Sequence, residues 1–310
     1  MTLPAASGHS SPVPVILDTD IGTDVDDALA LSVLLGSPEV DLEGVTTVYG
    51  DTELRARIAS RLARLAGVGD LTVLAGRQRT TTGRDIFWAG HEGTTMPDLA
   101  AEPVANAGDE QAAVTFLTEH ARNHPGELVV FAVGPLTNIA AAIDADAEFA
   151  TNLGGLYVMG GDFAAVGAPA PAAEHNIACD PEAAAVVFGS AAPITVVGLD
   201  VTTRTRVRAA ELGRIQAAGE LGAELGRQVR QFWQFSSADG NTPHDPLAVL
   251  ARLRPDLFTT RAADVNVLIG PGRPGSTLLT APTRRTRVAT DVAVTGAVEQ
   301  LVLRIEAAAR

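Results

Sequence analysis

The sequence predicts an α/β fold: a single open, mostly parallel sheet with helices on both faces. Three observations carry this. Short apolar runs alternate with alanine-rich helical stretches from end to end, the pattern of parallel strands covered on both faces. A chain of 310 residues that is 46% hydrophobic can bury a large core. No linker divides it, so residues 13–310 read as one domain behind a disordered leader, residues 1–12, which lacks the charged and apolar regions of a signal peptide.

The first apolar run, residues 13–17, reads as a buried strand, and residues 28–35 read as a buried helix. Between them the stretch DTDIGTDVDDALAL carries five aspartates, Asp18, Asp20, Asp24, Asp26 and Asp27. They fall on a loop at the carboxyl end of a strand, where open α/β sheets bind ligands. Carboxylates this crowded must take up protons, splay apart or hold a cation. Oxygen-only ligands favour a hard ion, and Ca²⁺ accepts roughly six to eight of them, backbone carbonyls included. The plainer alternative is an acidic turn with Asp26 and Asp27 at a helix N-terminus; five acids directly after an apolar strand favour the cation.

Two other acidic loops are tested by spacing. An EF-hand counted from Asp18 needs glycine at its sixth position and glutamate at its twelfth, where this chain has Thr23 and Leu29. An aspartyl (haloacid dehalogenase-like) phosphatase would use Asp18 as nucleophile, but Gly22 occupies its threonine position and Thr23 comes one place late. Its usual phosphate-holding lysine is missing, because all 23 basic residues are arginine. The same absence removes Schiff-base chemistry and the Walker A loop.

Further along, residues 42–48 and 73–75 read as strands, with an amphipathic helix over 52–66 whose wet side is Arg55, Arg57, Arg61 and Arg64. Residues 76–103 form a long polar segment carrying Phe87, Trp88, His91 and Met96, and loops of this length are often lids. A helix over 110–123 and a strand over 128–133 deliver GPLTN, residues 134–138, to the same sheet edge as the acids. A strand over 155–159 opens into a loop leading to Glu174, His175 and Asn176. Asp180 and Pro181 suit the cap and first residue of a helix. A strand over 194–199 is followed by one long helix or two shorter ones over 212–235, with Phe232, Trp233 and Phe235 near the end. Asp245 followed by Pro246 marks another helix start, with His244 beside it. Short β-like runs fill 264–287, and residues 292–309 close as a strand and then a helix.

A net charge of −14 and a pI near 4.8 argue against a nucleic-acid or anionic-membrane partner, since both need a basic face. A small neutral or cationic ligand suits the chain better. Cys179 is the only cysteine, so no intrachain disulfide forms, and it reads as a small buried hydrophobe. No apolar run reaches membrane-span length, and the expected location is cytoplasmic.

The acidic loop, GPLTN, MGG followed by AEHN and DPEAA, and PHDPLAV occur in one order. In this the chain resembles the inosine-uridine-preferring nucleoside hydrolases over roughly residues 13–305. The resemblance implies hydrolysis of the N-glycosidic bond of ribonucleosides to free base and ribose, a bound Ca²⁺, a homodimer or homotetramer, and a role in nucleoside salvage. Matched residue by residue, it implies that Asp20 binds Ca²⁺ and deprotonates the attacking water. Asp27, the Thr137 carbonyl and Asp245 complete the metal shell. Asp26, Glu174 and Asn176 match ribose-holding positions, and His244 matches the acid for the departing base. His91, Asp51, Met159 and Trp233 join the expected substrate-binding set.

These residue types suit the chemistry. Cleavage develops positive charge on the sugar, which carboxylates stabilise, and a histidine titrating near neutrality can protonate a base that leaves poorly as an anion. Three departures from the family pattern stand out. The spacing DxDxGxDD is two residues longer, making Asp24 an extra acid; Ala168 replaces an asparagine before AE(F)N; and Asp51 stands where members commonly show asparagine. The last two suggest a shifted preference at the sugar. A non-catalytic nucleoside or ribose binder on the same scaffold is the remaining alternative.

Overall fold

A computed structural model describes residues 11–163, 173–270 and 272–310. Ala168 and most of the expected leader lie outside the described residues. The chain opens with β1 (Val13–Thr19), α1 (Asp26–Leu35), β2 (Val40–Thr47), α2 (Thr52–Leu65) and β3 (Val73–Ala75). After the 76–103 segment come α3 (Gln111–Asn123), β4 (Val129–Ala132), α4 (Thr137–Ala145), the short α5 (Phe149–Asn152) and β5 (Gly155–Met159). Next are α6 (His175–Cys179), α7 (Pro181–Gly189), β6 (Ile194–Val197), α8 (Leu199–Thr202), α9 (Ala209–Gln216), α10 (Gly219–Ser236) and α11 (His244–Leu253). The chain ends with β7 (Phe258–Ala262), β8 (Asp264–Val267), β9 (Thr277–Thr280), β10 (Arg287–Val292) and α12 (Val294–Ala308).

Eight strands form one sheet in the order β3-β2-β1-β4-β5-β6-β10-β7, and β8 pairs with β9 as a separate hairpin. Every pairing in the large sheet is parallel except β10 with β7. The mostly parallel sheet expected from the apolar alternation is therefore found. Side chains alternate across a strand, so Ile16 and Leu17, adjacent on β1, enter opposite apolar layers. Leu17 packs in the layer that includes α1 and α11, while Ile16 packs in the layer of α3, α4 and α7. Residues 26–34 of α1 are all buried because this helix is enclosed by α11, α12 and the sheet.

The chain leaves β1 toward β2 and β3, then returns to the other side of β1 as β4. The order reverses between β1 and β4, the crevice where doubly wound sheets bind ligands. Two loops meet there, the acid loop after β1 and residues 133–136 after β4. The Val133 amide donates to the Asp18 carbonyl at 2.8 Å. A Cβ on Gly134 would stand 2.9 Å from the Asp20 backbone nitrogen, so only glycine allows this approach.

Of the two forms expected for 212–235, the structure has two helices, broken before Gly219, whose φ of +71° favours glycine. Residues 175–179 form α6, with Glu174 as its cap. One expectation is corrected by packing. Arg55, expected on the wet side of α2, is 1% exposed.

Candidate active site

Arg55 explains how the acid loop is held. Its guanidinium donates to the backbone carbonyls of Asp20, Ile21 (2.9 Å) and Tyr49 (2.7 Å), and it stacks 5.0 Å from the Trp88 ring. A buried cation thus stands under the acids and is spent on carbonyls, a role the helical periodicity of α2 does not reveal. Gly22, at φ +122°, makes the turn above it. Asp18 is fully buried and anchored by Thr46 (2.5 Å) and Asn138 (2.7 Å), and burial raises its carboxyl to about 7. Asp18 does not line the neighbouring cavity, so it is not presented as a phosphatase nucleophile.

That cavity, about 340 Å³, opens over the carboxyl ends of β1, β4 and β5. Its floor is Asp20, Asp26, Asp27 and Asp245; one flank carries Met159, Glu174, His175 and Asn176, and another carries Phe232, Phe235 and His244. Among the described residues, carboxylate oxygens of Asp26, Asp27 and Asp245 lie within 4.8 Å of one another. This tight triad substitutes Asp26 for Asp20 in the expected set; Asp20 lines the cavity outside the triad. Asp245 is delivered by the head of α11, which packs on α1, and its amide faces Asp26 at 3.4 Å. Thr19 donates its hydroxyl to Asp27.

The triad's carboxyls are all raised well above the ordinary carboxylate range, first because burial removes their water and then because the acids repel one another. Burial likewise raises Asp24 to about 6. Among the described residues no arginine lines the cavity. Buried, mutually repelling, all-oxygen donors with no guanidinium among them fit a hard divalent cation.

Glu174 is buried and accepts amide hydrogens from Gly161, Asn176 and Ile177, while its carboxyl is raised by burial. Asn176 donates to the Val133 carbonyl at 2.7 Å. His244 is held through Nδ1 by the Thr202 hydroxyl at 2.7 Å, and burial, then Arg206, pushes it down to about 4. The expected histidine titrating near neutrality is therefore a neutral imidazole in the metal-free protein.

Four expected site residues do not reach the cavity. Thr137 heads α4, gives its hydroxyl to Asp180 at 2.8 Å, and lines a separate cleft with Arg77. The residue of this loop on the cavity wall is Val133, an apolar residue that the sequence does not single out. Asp51 caps α2 by accepting from Leu54 at 2.9 Å, an ordinary use of aspartate. Trp233 packs on the core, because it lies roughly 100° around α10 from Phe232, and Phe232 and Phe235 face the cavity instead. His91 donates to the Thr23 carbonyl at 2.8 Å, stacks on Phe235 at 4.6 Å, and lines a water-sized niche beside the cavity.

Residues 15–299 match the family model of inosine-uridine preferring nucleoside hydrolases. The chain belongs to this family. It is 36% identical over 262 residues to uridine nucleosidase 1 of Arabidopsis thaliana, covering 82% of this chain and 77% of that one. Among solved structures, a plant nucleoside hydrolase superposes with a TM-score of 0.84 at 30% identity, over 95% of this chain and 99% of its own. A purine-preferring ribonucleoside hydrolase from Gardnerella vaginalis does so with a TM-score of 0.81 at 31% identity, over 96% and 99%.

As a nucleoside hydrolase, the chain is a glycosidase that acts on nucleosides. The acid-lined pocket lies at the switch point of this chain's own sheet. Among the described residues no helix is long and apolar enough to cross a membrane.

Proposed function

We propose that this nucleoside hydrolase cleaves ribonucleosides to free base and ribose with inversion, and that its acid cluster holds Ca²⁺. The observation that carries the reading is the buried Asp26, Asp27 and Asp245 triad, with Asp20 beside it, on the floor of a cavity that His244 also lines. Asp27, Asp245, Asp20 and the Val133 carbonyl would hold the ion, with Asp26 shared between ion and sugar. When bound, the ion supplies positive charge that relieves the repulsion among the acids and lowers the pKa of water.

Asp20, on the cavity floor, takes the proton of the attacking water. Asp26 and the Asn176 Oδ1 accept hydrogen bonds from the ribose hydroxyls, the Asn176 amide hydrogens being held by the Val133 and Met159 carbonyls, and Glu174, its carboxyl already holding three amides, fixes the far side of the sugar. These carboxylates also stabilise the positive charge that grows on the anomeric carbon and ring oxygen. His244 lines the cavity together with Phe232 and Phe235, a set of one polar and two apolar rings that suits a planar base. As a neutral imidazole it offers a ring N–H as a hydrogen bond to the leaving base, whose charge is neutralised by a proton from solvent as the bond breaks.

The names of similar proteins divide between uridine and purine preferences, so the test covers both. Base release from purine and pyrimidine ribonucleosides is measured with Ca²⁺ and with chelator. Release that chelator abolishes and Ca²⁺ restores is expected. Tight nucleoside binding with no release under either condition replaces the reading with a non-catalytic binder. A homodimer or homotetramer, implied by the family resemblance, is checked by light scattering.

A further inference from the structure

A second cleft, about 360 Å³, adjoins the acid-lined cavity. The two share two lining residues, Phe87 and His175. The partition between them is therefore a pair of rings, set edge to face with centroids 6.1 Å apart. His175 is clasped on the cleft side by Tyr49, at 6.3 Å and 88°, and by the Cys179 sulfur, 3.6 Å from Nε2. Phe87 is 52% exposed, so its ring can swing without emptying any core position.

The chemistry of the cleft is nearly uncharged. The Tyr49 hydroxyl accepts from the Phe87 amide at 2.8 Å. Arg84 is spent on Glu182, through contacts of 2.7 and 3.2 Å. Burial pushes the Cys179 thiol up to about 12, so it stays protonated. Ala178 completes an apolar wall, and among the described lining residues the one remaining charge, Asp85, is negative. None of these residues offers a free guanidinium to an anion.

On the reading given under Proposed function, the hydroxyl edge of the ribose meets the acid floor and the base lies toward His244, Phe232 and Phe235. The C4′–C5′ end of the sugar then points at the remaining flank, Glu174, His175 and Phe87. We propose that the cleft behind His175 and Phe87 is a subsite for an uncharged, apolar substituent on C5′, so that the enzyme's substrates include 5′-extended nucleosides. A 5′-phosphate is excluded by Asp85 and by the pairing of Arg84. Apolar lining of this size can seat a short alkyl chain, since ligand pockets run from roughly 300 Å³ upward.

The test compares kcat/KM for inosine and uridine, their 5′-deoxy-5′-butylthio derivatives and their 5′-monophosphates. The butylthio compounds are expected to be cleaved within about tenfold of the parents and the monophosphates at least about 100-fold more slowly, in line with what apolar contacts and unpaired charges discriminate. Ala178→Phe and Cys179→Leu fill the cleft outside the acid cavity. Each should lower butylthio turnover by about tenfold or more while parent turnover stays within about twofold. Parents cleaved with butylthio compounds untouched, or both variants lowering all substrates equally, overturns the subsite. If the parents themselves are not cleaved, the catalytic reading fails separately. The cleft is then judged by whether butylthio nucleosides raise the melting temperature of the wild type but not of Ala178→Phe, and no such difference overturns it.

Discussion

Asp27 accepts the Thr19 hydroxyl while burial and the charge of Asp20 work against its ionisation. Its neighbours Asp26 and Asp245 share the conflict. Neutralising one member should therefore act in opposite directions on stability and activity. Asp27→Asn is expected to raise the melting temperature of the chelated protein, by removing a buried repelling charge, yet lower base release by about a thousandfold or more. A variant that keeps activity, or that loses stability in chelator, would refute the assigned role. His244→Ala should lower turnover by about 10²–10⁴ for ordinary nucleosides and much less for a riboside with an activated leaving group such as p-nitrophenol. Equal losses on both substrates would mean that His244 only shapes the cavity. The five acids and His244 were legible because aspartates after an apolar strand and His-Asp-Pro at a helix start are local patterns. Val133 and Arg55 were not: one is an apolar strand-end residue that reaches the cavity only in the fold, and the other is turned inward by packing that periodicity on α2 does not encode.

At the scale of elements, α2 holds the acid loop in place. Arg55 connects it to three backbone carbonyls, and Glu92 ties the 76–103 segment to the same loop through Thr23 at 3.0 Å. The segment's other side is fastened to α10, Thr95 to Glu224 at 2.7 Å and Thr94 to Gln231 at 2.6 Å. The sequence shows this segment only as a long polar loop; its partners on the acid loop and α10 come together in the fold. Arg55→Met keeps the volume but leaves three carbonyls short of a donor. It should cost about 2–4 kcal/mol by denaturant unfolding, because buried groups are left unsatisfied, and should weaken Ca²⁺ binding as the loop loosens. Unchanged stability would show that the carbonyls find other partners. The phase of α10 is a second case: the sequence offered three aromatics at its end, and the turn per residue, once the helix was docked, chose Phe232 and Phe235 for the cavity and Trp233 for the core.

For the whole molecule, the acid cluster governs stability against pH. Asp18 at about 7 and Asp24 at about 6 lie above the ordinary value of 3.8, as do Asp26, Asp27 and Asp245. The folded state therefore binds more protons than the unfolded state above pH 4, and stability from these groups is present below that pH and lost as pH rises through 6 and 7. His244, lowered to about 4 from 6.5, works oppositely between those values, since there only the unfolded state holds its proton. Five carboxyls outweigh one imidazole. The metal-free protein should melt lower at pH 8 than at pH 5.5, and Ca²⁺ should raise the melting temperature at pH 8 far more than at pH 5.5. Scanning fluorimetry across that range, with chelator and with Ca²⁺, checks both; a chelated melting temperature that climbs toward pH 8 would contradict the balance.

By itself the sequence determined the fold class, the strand-to-helix loops and the acids, because apolar period and charge density are written in neighbouring residues. The family motifs, taken in order, also carried the expected activity. Tertiary structure decided which carboxylates converge, that His244 is neutral when buried, and that Phe87 and His175 line both of two adjoining cavities. Those outcomes depend on residues far apart in the chain meeting in three dimensions, where burial sets ionisation and helix phase sets direction.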